Sequence, residues 1–333
     1  MLSEFALIDR YFTRRARTHR RRAALGIGDD CALIAPAAGE MLAVSTDMLV
    51  EGRHFLPDVE PRALGHKALA VNLSDLAAMG AAPLGFTLAF ALPAPREDWL
   101  QAFSDGLFEL ADRYDCELIG GDTTAGPLNL CVTVFGSVSA RAALRRDAAQ
   151  PGDDVWVSGT PGDARAGLGL VRGEWTVADA AHAAALRRAL DTPEPRVALG
   201  LALRGVAHAA LDVSDGLAGD LMHILERSRV GALIDADAPP KSAALATLPR
   251  DVQRRCALAG GDDYELCFTA TPERRAAVEA AAQQAGVRVT RIGTITSLDP
   301  ADPKRAAPAI SWRDASGAPL NLTLQGFDHF HAD

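Results

Sequence analysis

Short apolar stretches in this sequence repeatedly give way to aspartate beside glycine or a hydroxyl residue. Asp29 and Asp30 follow LGIG, Asp47 follows AVST, and Asp122 follows LIGG. Asp212 and Asp215 lie in LDVSDG, Asp262 and Asp263 follow AGG, and Asp75 lies in NLSDLAAMG. Apolar runs of this length read as buried strands, and between them stand segments with helical spacing. The spacing predicts helices over 3–15, 62–79 and 97–114, and strands over 41–44, 84–92, 117–119 and 128–138. The pattern breaks at the polar stretch RRDAAQPGDD, within 141–153, which carries a Pro-Gly turn. Beyond it come strands over 155–158, 210–213, 231–234, 266–270 and 287–296. Helices are expected over 164–170, 177–190, 196–208, 217–228 and 272–285. Segments of both periods alternate, so the fold class is α/β or α+β. The break divides the chain into 1–140 and 150–333.

Composition narrows the function. At roughly 150 residues per domain, 333 residues make about two domains. A 48% hydrophobic and 23% charged chain builds a packed core. With 34 basic against 43 acidic residues the net charge is −9, which argues against a nucleic-acid surface. Lys67, Lys241 and Lys304 are the lysines, and none ends a G-x-x-x-x-G pattern, so a P-loop is excluded. Five cysteines without a C-x-x-C indicate neither a disulfide framework nor a structural zinc site, and a reducing cytoplasm is expected. MLSEFALIDRYF has no apolar core of a signal peptide, and no run approaches the ~18 apolar residues of a membrane span.

Taken singly, Asp beside Gly or Ser is ordinary turn and cap chemistry. Asp215, before Gly216 and a helical pattern, reads as an N-cap. As a set, the acids ending apolar runs would gather in the crevice beyond the strand ends. There they would repel one another unless cations neutralised them, and hard oxygen ligands suit Mg²⁺ shared with substrate phosphates. Gly26, Gly28, Gly120 and Gly121 would let backbone approach a phosphate. No nucleophile with a base partner stands out, and His54, in EGRHF, is the histidine best placed to face a site. The residues point to phosphoryl transfer run by metals and positioning, and a phosphate acceptor needs no general base.

Longer motifs now carry a resemblance. GIGDDCAL, STDMLVEGRHF, HKALAVNLSDLAAMGA, LIGGDTTAGPL, LDVSDGL, GGDDYELCFT and GFDHF together resemble the thiamine-monophosphate kinases almost from end to end. The resemblance implies the two-domain α/β fold shared with aminoimidazole ribonucleotide synthetase. It implies an N-terminal domain that binds ATP and Mg²⁺ and builds a homodimer through its sheet, and a C-terminal domain that completes the site. It also implies the reaction: ATP passes its γ-phosphoryl to the phosphate of thiamine monophosphate, with several Mg²⁺ ions bound. Whether K⁺ assists is left open.

By matching motifs, Asp30, Ser45, Thr46, Asp47, Asp75, Asp122, Asp212 and Asp215 resemble the family's metal ligands. Gly121, Asp122, Arg146 and Ser214 resemble its ATP contacts, and Arg146 would assist transfer with no residue acting as base or nucleophile. His54, Asp262 and Phe327 resemble substrate contacts. Asp262 stands where the family has Glu, and Phe327 where it has Tyr. Arg146 lies in a stretch that departs from the family's RSGAKPGD at several positions. The alternatives are a relative acting on another acceptor, such as a purine-biosynthesis ligase or selenophosphate synthetase, and a non-catalytic binder. No cysteine precedes Cys31, which disfavours the selenophosphate enzymes, and a binder would not need so many carboxylates.

Overall fold

The structure is a computed structural model that describes residues 4–13, 22–299, 301–302, 306–324 and 326. Its contacts divide the chain into two compact units, 1–76 with 81–141, and 77–80 with 142–333.

The first unit begins with a short helix, α1 (Glu4–Ile8), which widens into a π-helical turn over Asp9–Thr13. A four-stranded sheet follows, from β1 (Met41–Val50), β2 (Ala82–Leu92), β3 (Glu117–Ala125) and β4 (Asn129–Val138), in the order β1-β4-β2-β3. β4 runs antiparallel to both neighbours, and β2 and β3 are parallel. Between β1 and β2 lies α2 (Pro61–Ala78), and between β2 and β3 lies α3 (Glu97–Arg113). α2 opens with proline, whose missing N–H is no loss in a first turn. Glu60 accepts the Ala63 N–H at 2.9 Å. Leu64, Leu69, Leu73 and Leu76 are all buried, so this helix is enclosed on every side. α2 and α3 meet backbone to backbone: a Cβ on Gly65 would strike the Phe103 carbonyl, and one on Gly106 the Arg62 carbonyl.

Two strands are longer than their apolar runs. β1 does not stop at Ser45 but continues through Thr46 and Asp47 to Val50, because β4 pairs with it residue by residue from Met41 to Val50. β3 continues past Ile119 through Gly120, Gly121 and Asp122, paired to β2 after a register shift at Phe86/Thr87. Polar residues expected beyond strand ends therefore sit within strands.

The second unit holds a seven-stranded sheet. Its strands are β5 (Asp154–Ser158), β6 (Ala209–Val213), β7 (Gly231–Asp235), β8 (Glu265–Ala270), β9 (Val289–Thr296), β10 (Ile310–Arg313) and β11 (Pro319–Leu320). They lie in the order β11-β10-β7-β9-β5-β8-β6, antiparallel except for β10 beside β7. The helices are α4 (Asp163–Val171), α5 (Ala180–Asp191), α6 (Val197–Ala202), α7 (Leu217–Ser228), α8 (Arg250–Ala259) and α9 (Arg275–Ala285). Val155 and Val157 of β5 and Leu211 and Val213 of β6 pack with Leu221, Ile224 and Leu225 of α7 in one buried cluster. Alternate strand residues face the other way, where Trp156 stacks on Phe268. The helix expected over 196–208 is short, ending before Gly205, whose φ of +71° is left-handed. α8 and the two tail strands have no counterpart in the sequence reading.

Candidate functional site

Each unit gathers part of the predicted set. In the first, alternation along β1 turns Ser45 and Asp47 to one face and Thr46 to the other. The Ser45 hydroxyl donates to an Asp75 oxygen at 2.5 Å, tying β1 to α2. The Asp47 N–H donates to Asn72 Oδ1 at 3.2 Å, and Asn72 Nδ2 donates to the Ala68 carbonyl at 3.0 Å. Asn72 is fully buried, so this amide holds the middle of β1 on α2. Thr46 pairs its hydroxyl with Thr133 across β4 at 2.9 Å.

Asp30, Gly121 and Asp122 line one cavity of about 430 Å³, with Gly28, Asp29 and Cys31. Ile8, Phe12, Phe90 and Phe135 supply its apolar wall. Phe12 meets Phe90 edge to face, centroids 5.5 Å apart, so the N-terminal π-helical turn is docked on β2. Gly121 has φ +151°, and a Cβ there would run into the Leu88 carbonyl. Only glycine lets β3 come this close to β2 where the register shifts. Burial and the charge of Asp47 together push the Cys131 thiol up, which keeps it protonated and a poor competitor for a metal.

His54 stands in the turn after β1. Its Nδ1 accepts the Val50 N–H at 3.0 Å, which leaves the neutral ring's proton on Nε2.

In the second unit, two acidic turns lie side by side at one end of β6 and β8. Asp212 is on β6 and 5% exposed. The Asp262 N–H donates to the Ser214 carbonyl at 2.8 Å, and the Tyr264 N–H to the Val213 carbonyl at 2.8 Å. Asp262 and Tyr264 both take positive φ, +67° and +51°. The Tyr264 hydroxyl donates to Asp262 Oδ1 at 3.3 Å. Gly216 and Gly261 are required by proximity: a Cβ on Gly216 would press on Ala259, and one on Gly261 on the Ser214 carbonyl.

Asp215 does not cap α7. The cap position is Gly216, with φ +114° and no capping side chain. Asp220 serves instead, accepting the N–H groups of Asp215 and Gly216, each at 3.0 Å. Burial pushes the Asp220 carboxyl up to about 7, against the pull of those two N–H donors and of Arg146. The carbonyl of Arg146 accepts from the Ser228 hydroxyl at 2.8 Å. Phe327 lies outside the described residues. Gly326, just before it, is placed against Gly219 and Asp215.

Among the described residues, no three His, Cys, Asp or Glu side chains are close enough to hold one metal ion. The predicted ligands appear as separate small groupings: Ser45 with Asp75, Asp30 with Asp122, and the Asp212–Asp215 turn. Sequence reasoning missed Asn72, Asp220 and Ser228. The signal for Asp220 was present, an acid in the first turn of a helix whose cap is glycine. Asn72 and Ser228 act through tertiary hydrogen bonds, and no local spacing announces those.

Comparison with known proteins identifies the family. Residues 28–138 match the family model of the AIR synthase related protein N-terminal domain, and 150–300 that of the C-terminal domain. These two domains define a protein of the AIR synthase related class, with an α/β fold in each. A thiamine-monophosphate kinase of Salmonella typhimurium is 48% identical over 329 residues, covering 98% of each chain. The crystal structure of thiamine-monophosphate kinase from Stenotrophomonas maltophilia is 50% identical, with a TM-score of 0.84 over 96% of this chain and 98% of that one. A structure described as AaThiL complexed with AMPPCP and TMP is 30% identical, with a TM-score of 0.72 over 96% of each chain. The chain belongs to the thiamine-monophosphate kinase family.

Proposed function

We propose that this chain transfers the γ-phosphoryl of ATP to the phosphate of thiamine monophosphate, giving thiamine diphosphate and ADP. The observation that carries the reading is the 48% identity to a thiamine-monophosphate kinase across 98% of both chains. The AMPPCP and TMP named for the related AaThiL complex are an ATP-like and a thiamine-monophosphate-like pair, and they support it. The acceptor phosphate is already ionised at neutral pH, so no base is needed.

The residues fit Mg²⁺ in their chemistry. They are hard oxygen donors: Ser45 and Asp75 are hydrogen-bonded to each other, and Asp30 and Asp122 line one cavity. In this reading Asp30, Ser45, Thr46, Asp47, Asp75 and Asp122 of the first unit, and Asp212 and Asp215 of the second, hold the ions. Bound Mg²⁺ supplies neutralisation of phosphate charge. Gly121, Asp122, Arg146 and Ser214 contact ATP, and the Arg146 guanidinium offers paired donors to phosphate oxygens. His54 presents Nε2–H to the acceptor. Asp262, one methylene shorter than the family's Glu, contacts it from a turn in which Asp262 takes positive φ. Phe327 keeps an aromatic face for a thiazolium ring.

The partner proposed is a second copy. The outward face of β1, an edge strand, shows Val44 57% and Met48 54% exposed, beside Leu42 and Val50. A face of four exposed apolar residues around Thr46 on an edge strand is a surface to be covered. The five cysteines are free, which supports a reducing, cytoplasmic location.

The test is product analysis. ATP, Mg²⁺ and thiamine monophosphate should yield thiamine diphosphate and ADP in equal amounts, and EDTA should stop it. The same assay with and without K⁺ reads any contribution of a monovalent ion. ADP appearing with another acceptor, and none with thiamine monophosphate, would overturn the reading.

A further inference from the structure

The segments carrying Asp215 and Arg146 are joined through one helix. α7 has twelve residues, about 17 Å of helix at ~1.5 Å per residue. In its first turn, Asp220 holds the Asp215 and Gly216 N–H groups. At its last residue, the Ser228 hydroxyl accepts the Ala149 N–H at 3.1 Å and donates to the Arg146 carbonyl at 2.8 Å. One hydroxyl thereby closes both ends of the Arg146–Ala149 turn. The flank before it is tied to β6, where the Ala210 N–H donates to the Arg145 carbonyl at 3.2 Å. The helix is not free to slide, because Leu221, Ile224 and Leu225 are fully buried against the sheet. The positive charge of Arg146 is among those that act on the Asp220 carboxyl.

We propose that Ser228 is a positioning residue for nucleotide binding. Its hydroxyl fixes the 146–149 turn so that the Arg146 guanidinium is presented to the phosphates of a nucleoside triphosphate, with α7 as the rigid spacer to the Asp215 turn. The proposal rests on the reading that Arg146 and Asp215 serve a nucleotide. Ser228→Ala leaves the Ala149 N–H and the Arg146 carbonyl without their partner. The turn then samples conformations in which the guanidinium points elsewhere, and binding is weakened by the fraction that is misplaced.

The experiment is calorimetric binding of AMPPCP with Mg²⁺ to the full chain, across the cycle of wild type, Ser228→Ala, Arg146→Ala and the double variant, with Ser228→Thr as rescue. Ser228→Ala should weaken binding about tenfold. Ser228→Thr should stay within about twofold of wild type, since threonine keeps the hydroxyl. In the Arg146→Ala background, Ser228→Ala should add almost nothing, because the two act through one contact. The KM for thiamine monophosphate should not move with Ser228→Ala. Unchanged AMPPCP affinity in Ser228→Ala overturns the inference, and so does a loss that persists in full without Arg146. Equal loss for both ligands with no rescue by threonine marks Ser228 as merely structural and also overturns it. Because binding is read without turnover, a chain that binds AMPPCP but makes no thiamine diphosphate refutes the kinase reading alone. A wild type that does not bind AMPPCP refutes the positioning role.

Discussion

Asp47 sits mid-strand, with its amide held by Asn72 and its charge felt by Cys131. Asp122 lines the cavity with Asp30. Replacing either carboxylate by its amide keeps the shape of the side chain and removes its charge. Asp47→Asn and Asp122→Asn should each lower kcat by on the order of 100-fold or more. Their melting temperatures should stay within a few degrees of wild type, and steady-state kinetics beside thermal denaturation checks both. Near-normal rates in both variants would remove the metal-ligand role. Asp263 is a different kind of acid. It accepts the Gly162 N–H at 2.7 Å, and burial first of all holds its carboxyl well above the ordinary value of 3.8. The folded chain therefore binds this proton more tightly than the unfolded chain. Its stabilising contribution is full below pH 3.8 and is lost as pH rises through the raised value. Asp263→Asn keeps an oxygen for the N–H, so its melting temperature should gain on wild type as pH rises above about 4. A gap that stays constant as pH rises would show that the carboxyl is not shifted. The motif spelling singled out Asp263 but did not distinguish it from Asp262, because burial separates the two.

At the scale of elements, β3 shows what pairing adds to an apolar run. Leu118 and Ile119 read as strand, and the glycines after them read as its end. The strand continues because Gly121 lets the backbone lie against Leu88. Gly121→Ala should destabilise the chain by about 3 kcal/mol, through a Cβ that meets a backbone carbonyl and a φ that alanine avoids. Chemical denaturation checks this, and an unchanged midpoint would refute the close approach. β1 is an edge strand whose outward face exposes Val44 and Met48. Met48→Lys, at a 54% exposed position on that face, should convert a dimer to a monomer, read as halved mass in light scattering. A wild-type monomer, or a Met48→Lys dimer, would place the contact elsewhere. Helix α7 was legible to the residue, as Leu217–Ser228, because its apolar positions recur at helical spacing. α8 was not legible, since RDVQRRCALA offers few apolar residues and is held through Cys256, Ala257 and Leu258.

The whole molecule carries 43 acids against 34 bases. Ligands that neutralise them should stabilise the fold. Mg²⁺ with AMPPCP at a hundredfold excess over Kd should add about 2.7 kcal/mol. The rise in melting temperature should vanish with EDTA, and no rise at saturation would mean that the acids bind nothing together. Sequence alone decided the α/β class, because it depends on local periodicity and residue type. Tertiary structure decided which acids became neighbours, which strands ran on through polar residues, and which side chains hold the site from behind. Those outcomes depend on hydrogen bonds and close approaches between residues far apart in the chain, such as Ser45 with Asp75 and Arg146 with Ser228. No pattern within a short window encodes them.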